Sequence, residues 1–225
     1  MKIKWGALVT DGRGKLGGHV ASKNRSGNYL RTKVTPSNPQ SFAQQATRAV
    51  LGTMSSAWSG LTDDQRATFN GAVSDWSGTN IFGDIKNPTG KNLFVGLNKN
   101  LIESGQVIVE NAPEKQALPF MEVTAVNGLV GSDSLTVASN GDATGVQVNI
   151  YATAPQSAGT GFYKGKYRKI KTVEGSTLDG VDVINEYRAK FGAIAAGMNI
   201  SFQFKTVGTN GQAGTPEFVK AVILA

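Results

Sequence analysis

Cysteine is absent from the 225 residues, and histidine occurs once, at His19. The first absence excludes a disulfide scaffold, a thiol nucleophile and thiolate metal sites. The second leaves too few ligands for a zinc site of the usual kind. No run of about 18 apolar residues is present, so no transmembrane helix is expected. Ala7-Leu8-Val9 is far too short for the apolar core of a signal peptide, so none is expected either. Charged residues make up only 17% of the chain, below the average for soluble proteins, whereas glycine reaches 28 residues. Low charge with abundant glycine, serine, threonine and asparagine suits a β-rich body or a surface covered by partners. The length suggests one or two domains and suffices for a real core.

What charge there is lies at one end. Residues 1–50 hold nine Lys/Arg against one acid, Asp11, a balance of +8; the other 175 residues hold fourteen bases and fifteen acids, a balance of −1. Such asymmetry points to a basic segment meant for a partner. Six glycines fall between Gly6 and Gly27, and the apolar residues there (Trp5, Leu8, Val9, Leu16, Val20, Tyr29, Leu30, Val34) are too scattered for a core. Little burial is available to offset an ordering cost of about 1–2 kcal/mol per residue. Residues 1–36 therefore read as an extended basic arm that is ordered only between subunits. Its β-prone runs, Leu8-Val9-Thr10, His19-Val20-Ala21 and Tyr29–Val34, suit strand addition to another sheet. The residues that carry this contact are expected to be Trp5, Arg13, Lys15, Arg25, Tyr29, Arg31 and Lys33.

Residues 37–105 read as helical. Asn38-Pro39 suggests a cap with proline at the first helical position, followed by apolar spacing through Phe42, Ala46, Val50, Met54 and Trp58, a helix over 39–57. Thr62 and Gln65 have capping-box spacing, with Asp63 and Asp64 in the first turn, and the second helix runs to Trp76. Trp58 and Trp76 are the expected anchors of this hairpin and further candidates for subunit contact. A third helix, capped by Asn87 or Thr89, ends at Gly105. A linker over 106–117 follows, and from residue 118 the apolar period changes to two. Seven strands are expected in 118–225: Phe120–Val126, Ser134–Ala138, Val146–Thr153, Phe162–Lys171, Ile184–Lys190, Ile200–Val207 and Phe218–Leu224. Turn signals at Asn140-Gly141-Asp142, Gly159-Thr-Gly161 and Gly208–Gly211 separate them. That count suits a small β-sandwich. The fold class is thus α+β: extended arm, helical hairpin plus third helix, then a sandwich.

Patterns with catalytic or cofactor connotations fail on context. Gly12-x-Gly14-x-x-Gly17 has dinucleotide-fingerprint spacing but opens no apolar helix and has no acid about twenty residues on. His19, among glycine and lysine, lacks an orienting partner for base catalysis. Asp179, Asp182 and Glu186 are spaced without a dense oxygen cage and make only a sparse calcium candidate. No catalytic, cofactor or metal residue is assigned, and an enzyme is not expected. Non-specific contact with DNA is compatible with eight bases in the first 33 residues interleaved with Trp5 and Tyr29. Phe162, Tyr163 and Tyr167 do not form a legible carbohydrate platform.

The run Gly14-Lys-Leu-Gly17-Gly18, Asn24-Arg25-x-Gly27-x-Tyr29-Leu30-Arg31-x-Lys33, Pro36-x-Asn38-Pro39, Gln44, Arg48, Trp58-x-x-Leu61-Thr62-x-x-Gln65-Arg66 resembles tailed-bacteriophage virion structural proteins, including those of crAss-like phages of gut Bacteroidales. The similarity covers about residues 1–76. Further on, Tyr187, Phe191-Gly192 and Gly197-x-x-Ile200-x-Phe202 resemble the last strands of a fibronectin III or immunoglobulin-like domain, without the Cys–Trp–Cys core of antibody domains. The resemblance implies a virion protein assembled in the host cytoplasm: an oligomeric ring of the portal–tail connector or tail, or else a capsid decoration, head-fibre or DNA-associated protein. Partners would be sister copies and portal, tail or capsid proteins, with no membrane. Deleting residues 1–35 should abolish incorporation into particles; normal incorporation, read by mass spectrometry of purified virions, would refute the arm as the assembling element.

Overall fold

The computed structural model describes residues 1–6, 11–35, 37–119, 121–140, 143–157, 159–161, 163 and 165–224. The Leu8-Val9-Thr10 run, Pro36, Phe120, Gly141-Asp142 of one turn and Phe162 lie outside the described residues. The fold is mixed α+β, as the sequence pattern suggests. The chain forms two compact units, Met1–Val95 and Gly96–Ala225.

The first unit opens with strands β1 (Gly14–Leu16), β2 (His19–Asn24) and β3 (Gly27–Thr32), paired antiparallel in that order. This corrects the fully extended arm. Two two-residue turns, Gly17-Gly18 and Arg25-Ser26, close the hairpins locally, and Gly17 takes φ 57°, which a glycine tolerates without strain. The glycines that made the segment look disordered are those that let it turn.

Helix α1 (Phe42–Gly60) starts three residues later than the Asn38-Pro39 signal suggests. Gln40 has φ 51°, which interrupts the right-handed run, and Ser41 supplies the cap by accepting from Gln44 N. Helix α2 (Asp63–Gly71) has the expected capping box: Gln65 N donates to Thr62 Oγ1 at 3.2 Å, and Thr62 N donates to Gln65 Oε1 at 2.8 Å. It stops at Gly71, and turns carry the chain on past Trp76. Arg66 donates to the carbonyls of Trp58 and Ser59, satisfying orphan acceptors at the end of α1. A short hairpin, β4 (Gly78–Thr79) and β5 (Ile85–Lys86), precedes α3 (Gly90–Glu103), which Thr89 caps through Asn92 N. Trp58, Phe69 and Phe94 pack ring to ring at 5.3–6.0 Å, and Phe69 and Phe94 are fully buried.

The division between the units falls inside α3, between Val95 and Gly96, rather than at the expected linker. Residues 106–117 are pinned to the second unit. Asn98 pairs with Val109 through both amide atoms, Asn210 Nδ2 donates to Glu114 O, and Gln116 N donates to Gln212 Oε1. A polar side chain that imitates a backbone partner holds a segment that has few apolar anchors of its own.

The second unit is one curled sheet of six strands: β6 (Glu122–Leu129), β7 (Ser134–Asn140), β8 (Val146–Ala152), β9 (Arg168–Glu174), β10 (Asn199–Gly208) and β11 (Glu217–Leu224), in the order β7-β6-β11-β10-β8-β9. The expected strand 184–190 is instead helix α4 (Ile184–Phe191). Ile184, Tyr187 and Phe191 fall at i, i+3 and i+7, a helical stripe that turns into the core, and the helix stops at Gly192 with φ 86°. Strands from both ends of the sheet share that core, with Val123, Leu135 and Val137 beside Ile150, Phe202 and Phe204. Tyr187 is fully buried and donates its hydroxyl to Thr153 O at 3.0 Å.

Phe69→Ala should cost about 3–5 kcal/mol, because the ring is fully enclosed. Thr62→Ala removes one half of an exposed capping box and should cost about 1 kcal/mol. Urea unfolding of the two variants should separate them clearly.

Candidate functional site

The candidate surface is the N-terminal meander. Residues 1–3 lie along the free edge of β3: Met1 N donates to Leu30 O at 2.7 Å, Leu30 N to Met1 O at 2.8 Å and Ile3 N to Asn28 O at 3.0 Å. β3 is thus hydrogen-bonded on both edges, and the sheet behaves as four lines of chain. Directly paired residues in an antiparallel sheet share a face. One row is Lys15, Val20 and Arg31; the next is Ser22, Tyr29 and Lys2. Lys33 continues this face, its N–H donating to Gly18 O at 2.8 Å. Lys15, Arg31 and Lys33 are exposed. Lys2 Nζ sits 5.7 Å from the centre of the Tyr29 ring, and also donates to Asn24 Oδ1 and Ser26 O. The opposite face carries Leu16, His19, Ala21, Lys23 and Leu30, with Ala21 buried.

Of the sequence-derived contact residues, this register gathers Lys15, Tyr29, Arg31 and Lys33. Arg13 is set apart by Gly14, whose φ of 113° breaks the strand alternation, and it pairs with Asp11 at 3.3 Å. Arg25 occupies the β2–β3 turn and is exposed. Trp5 packs within its own unit: a Cβ on Gly12 would lie 2.6 Å from its ring. Trp58 is engaged with Phe69 and Phe94, and Trp76 is half-buried beyond α2. Lys2 was not among the sequence-derived residues. Its parity with Tyr29 exists only because the N-terminus folds back onto β3.

Lys4 ties this segment to the β4–β5 turn. Its Nζ lies 3.0 Å from Asp84 Oδ1 and 5.5 Å from the Phe82 ring centre, while Asn80 holds Phe82 N, Asp84 N and Asp84 Oδ2. The hydrogen bond from Asn80, then that from Lys4, keeps the Asp84 carboxyl below its ordinary value of 3.8.

The groups with catalytic connotations are placed otherwise. Gly12, Gly14 and Gly17 lead into and through the β1–β2 hairpin, and His19 is exposed in β2. Asp182 Oδ1 accepts from Leu135 N and Ile184 N, tying the start of α4 to β7; Asp179 accepts from Ser139 N; Glu186 pairs with Lys171 at 2.7 Å. Among the described residues, no three of His, Asp and Glu gather closely enough to hold a metal ion, and no helix is long and apolar enough to cross a membrane. In the second unit, Lys169 donates to Glu103 O at the end of α3 and Lys205 to Asn100 Oδ1. Burial is the main cause holding both ammonium groups below the ordinary lysine value. Tyr163 and Tyr167 line an open hollow with Gln203 and Phe218, the last missed by the sequence reading.

No protein-family model matches this chain, and no curated protein matches it.

The Asp84 shift carries a sign. A depressed carboxyl contributes stability above its unfolded value and loses it as pH falls through the lower folded one. The protection factors of the Ile3 and Leu30 amides, taken against the intrinsic exchange rate at each pH, should therefore fall as pH drops below about 4, and Asp84→Asn should abolish the step.

Proposed function

We propose that this chain is a non-enzymatic structural subunit of a tailed-phage virion that works as a homo-oligomer, in a ring of the portal–tail connector or the tail. The observation that carries the reading is helix α1. Every residue from Phe42 to Ala49 is exposed, with Phe42 at 87%, and along the whole helix only Met54 is buried. A helical end this short is marginal in water without tertiary packing. Its apolar residues, Phe42, Ala46, Ala49 and Val50, recur at helical spacing and make a stripe that a neighbouring subunit can cover.

The second unit supports the same reading independently. Outward positions of β11 are Phe218, Val222 and Leu224, exposed at 58%, 53% and 59%, interrupted by Lys220. Such a row on a monomer marks an interaction site when contiguous. An immunoglobulin-like character is supported by the way β6 and β11 join: two parallel residue pairs, Ile223 with Gly128 and Leu224 with Leu129, link the β7-β6 pair to the four-stranded remainder. The two portions close over one core as the halves of a sandwich do. Helix α4 stands where a further strand would complete it.

Native mass spectrometry of the full chain should give a closed ring of 23.6 kDa subunits. Phe42→Asp together with Ala46→Asp should shift it to the monomer while leaving its circular dichroism unchanged. A wild-type chain that stays monomeric at micromolar concentration, or a variant that assembles normally, would refute the proposal.

A further inference from the structure

We infer that the cationic face of the N-terminal meander is a nucleic-acid-binding surface that grips the phosphate backbone without reading sequence. This holds whether or not the chain assembles as proposed above, since the surface lies wholly within one subunit. Lys15 and Arg31 stand two strand spacings apart in one row, about 10 Å; Lys2 follows one row on, about 7 Å along the strands, and Lys33 extends the line at the far end. Spacings of that order let neighbouring cations engage successive phosphates of one strand.

The composition of the face argues for a polyanion rather than an acidic protein. Protein interfaces place apolar and aromatic anchors at the centre and are depleted in lysine. Here Val20, Ser22 and Tyr29 are half-buried, while the exposed side chains are Lys15, Arg31 and Lys33, with Asn24 at the turn end occupied by Lys2 and Ser26 N. Among the described residues, no carboxylate pairs with Lys15, Arg31 or Lys33, and the sole acid of residues 1–33, Asp11, is taken by Arg13. Lys2, Lys15 and Lys33 offer point charges and Arg31 alone a guanidinium fork, so the face is set up chiefly for phosphates rather than base edges. Tyr29 offers one ring amid the charges and can add stacking to an unpaired base, in competition with Lys2.

The register supplies its own control. Lys23 and Arg25 carry the same charge as Lys15 and Arg31, but Lys23 lies opposite Asn28 on the other face and Arg25 sits in the turn. The double variants K15Q/R31Q and K23Q/R25Q therefore lose equal charge from different places. With the full chain and a fluorescent 30-bp duplex of mixed sequence, anisotropy should show binding at 50 mM salt that weakens steeply as salt rises. K15Q/R31Q should lose about tenfold or more in affinity and about 2 in the slope of log K against log salt, near 1 per phosphate contact removed. K23Q/R25Q should lose less than about threefold, and a second duplex of unrelated sequence should behave like the first. Unchanged thermal melting of both variants makes the comparison one of surface, not folding. The inference is overturned if the wild-type chain leaves the duplex free, if both variants lose affinity equally, or if polyglutamate of similar charge binds at least as tightly as DNA.

Discussion

Strand β3 is hydrogen-bonded along both edges, by β2 on one side and by residues 1–3 on the other, and the chemistry of the N-terminal unit follows from that pairing. The segment has too little apolar surface to be organised by burial. Backbone bonds between near neighbours in sequence organise it instead, closed by one turn of two glycines, Gly17-Gly18, and a second that Gly27 flanks at φ 99°. Once the pairing exists, the two-residue period of a strand sorts the side chains. Lysines and an arginine that look scattered along the chain are delivered to one side, and Ala21 with Leu30 to the other.

The two units solve the problem of order in different ways. The first has a small aromatic knot, Trp58 with Phe69 and Phe94, and carries much of its remaining chain at the surface. The second has a continuous core beneath a curled sheet, into which α4 packs. Asp179 and Asp182 run along the outer edge of β7, where Val137 N also donates to Val181 O and Val183 N to Leu135 O. Carboxylates with the look of a sparse cation site thereby protect an edge strand from unwanted pairing. Lys169 and Lys205 meet the carbonyl end of α3, where a helix terminus favours positive charge.

Several elements were legible from local chemistry alone. The capping box of Thr62 and Gln65 and the cap at Thr89 occur as spaced, since both depend only on residues three apart. Five of the expected strands overlap observed ones closely, because alternating burial leaves a period-two pattern. The misses have equally local causes. At residues 184–190 the mixed apolar pattern admits a period of two, although Ile184, Tyr187 and the following Phe191 fit 3.6 better. In the meander, Gly17-Gly18 was counted as an entropic cost when its two-residue spacing between β-prone runs was itself a hairpin signal.

The excess of positive charge in the first 50 residues, the lack of thiol chemistry and the α+β alternation of patterns were determined by the amino-acid order, because composition and short-range spacing carry them. Which cations share a face, that Lys2 joins them, that Trp58 turns inward while Phe42 stays outside, and that α4 replaces a strand were decided only by tertiary structure. Each of these depends on a register or a packing partner set by residues far along the chain, and no local window of sequence contains that information.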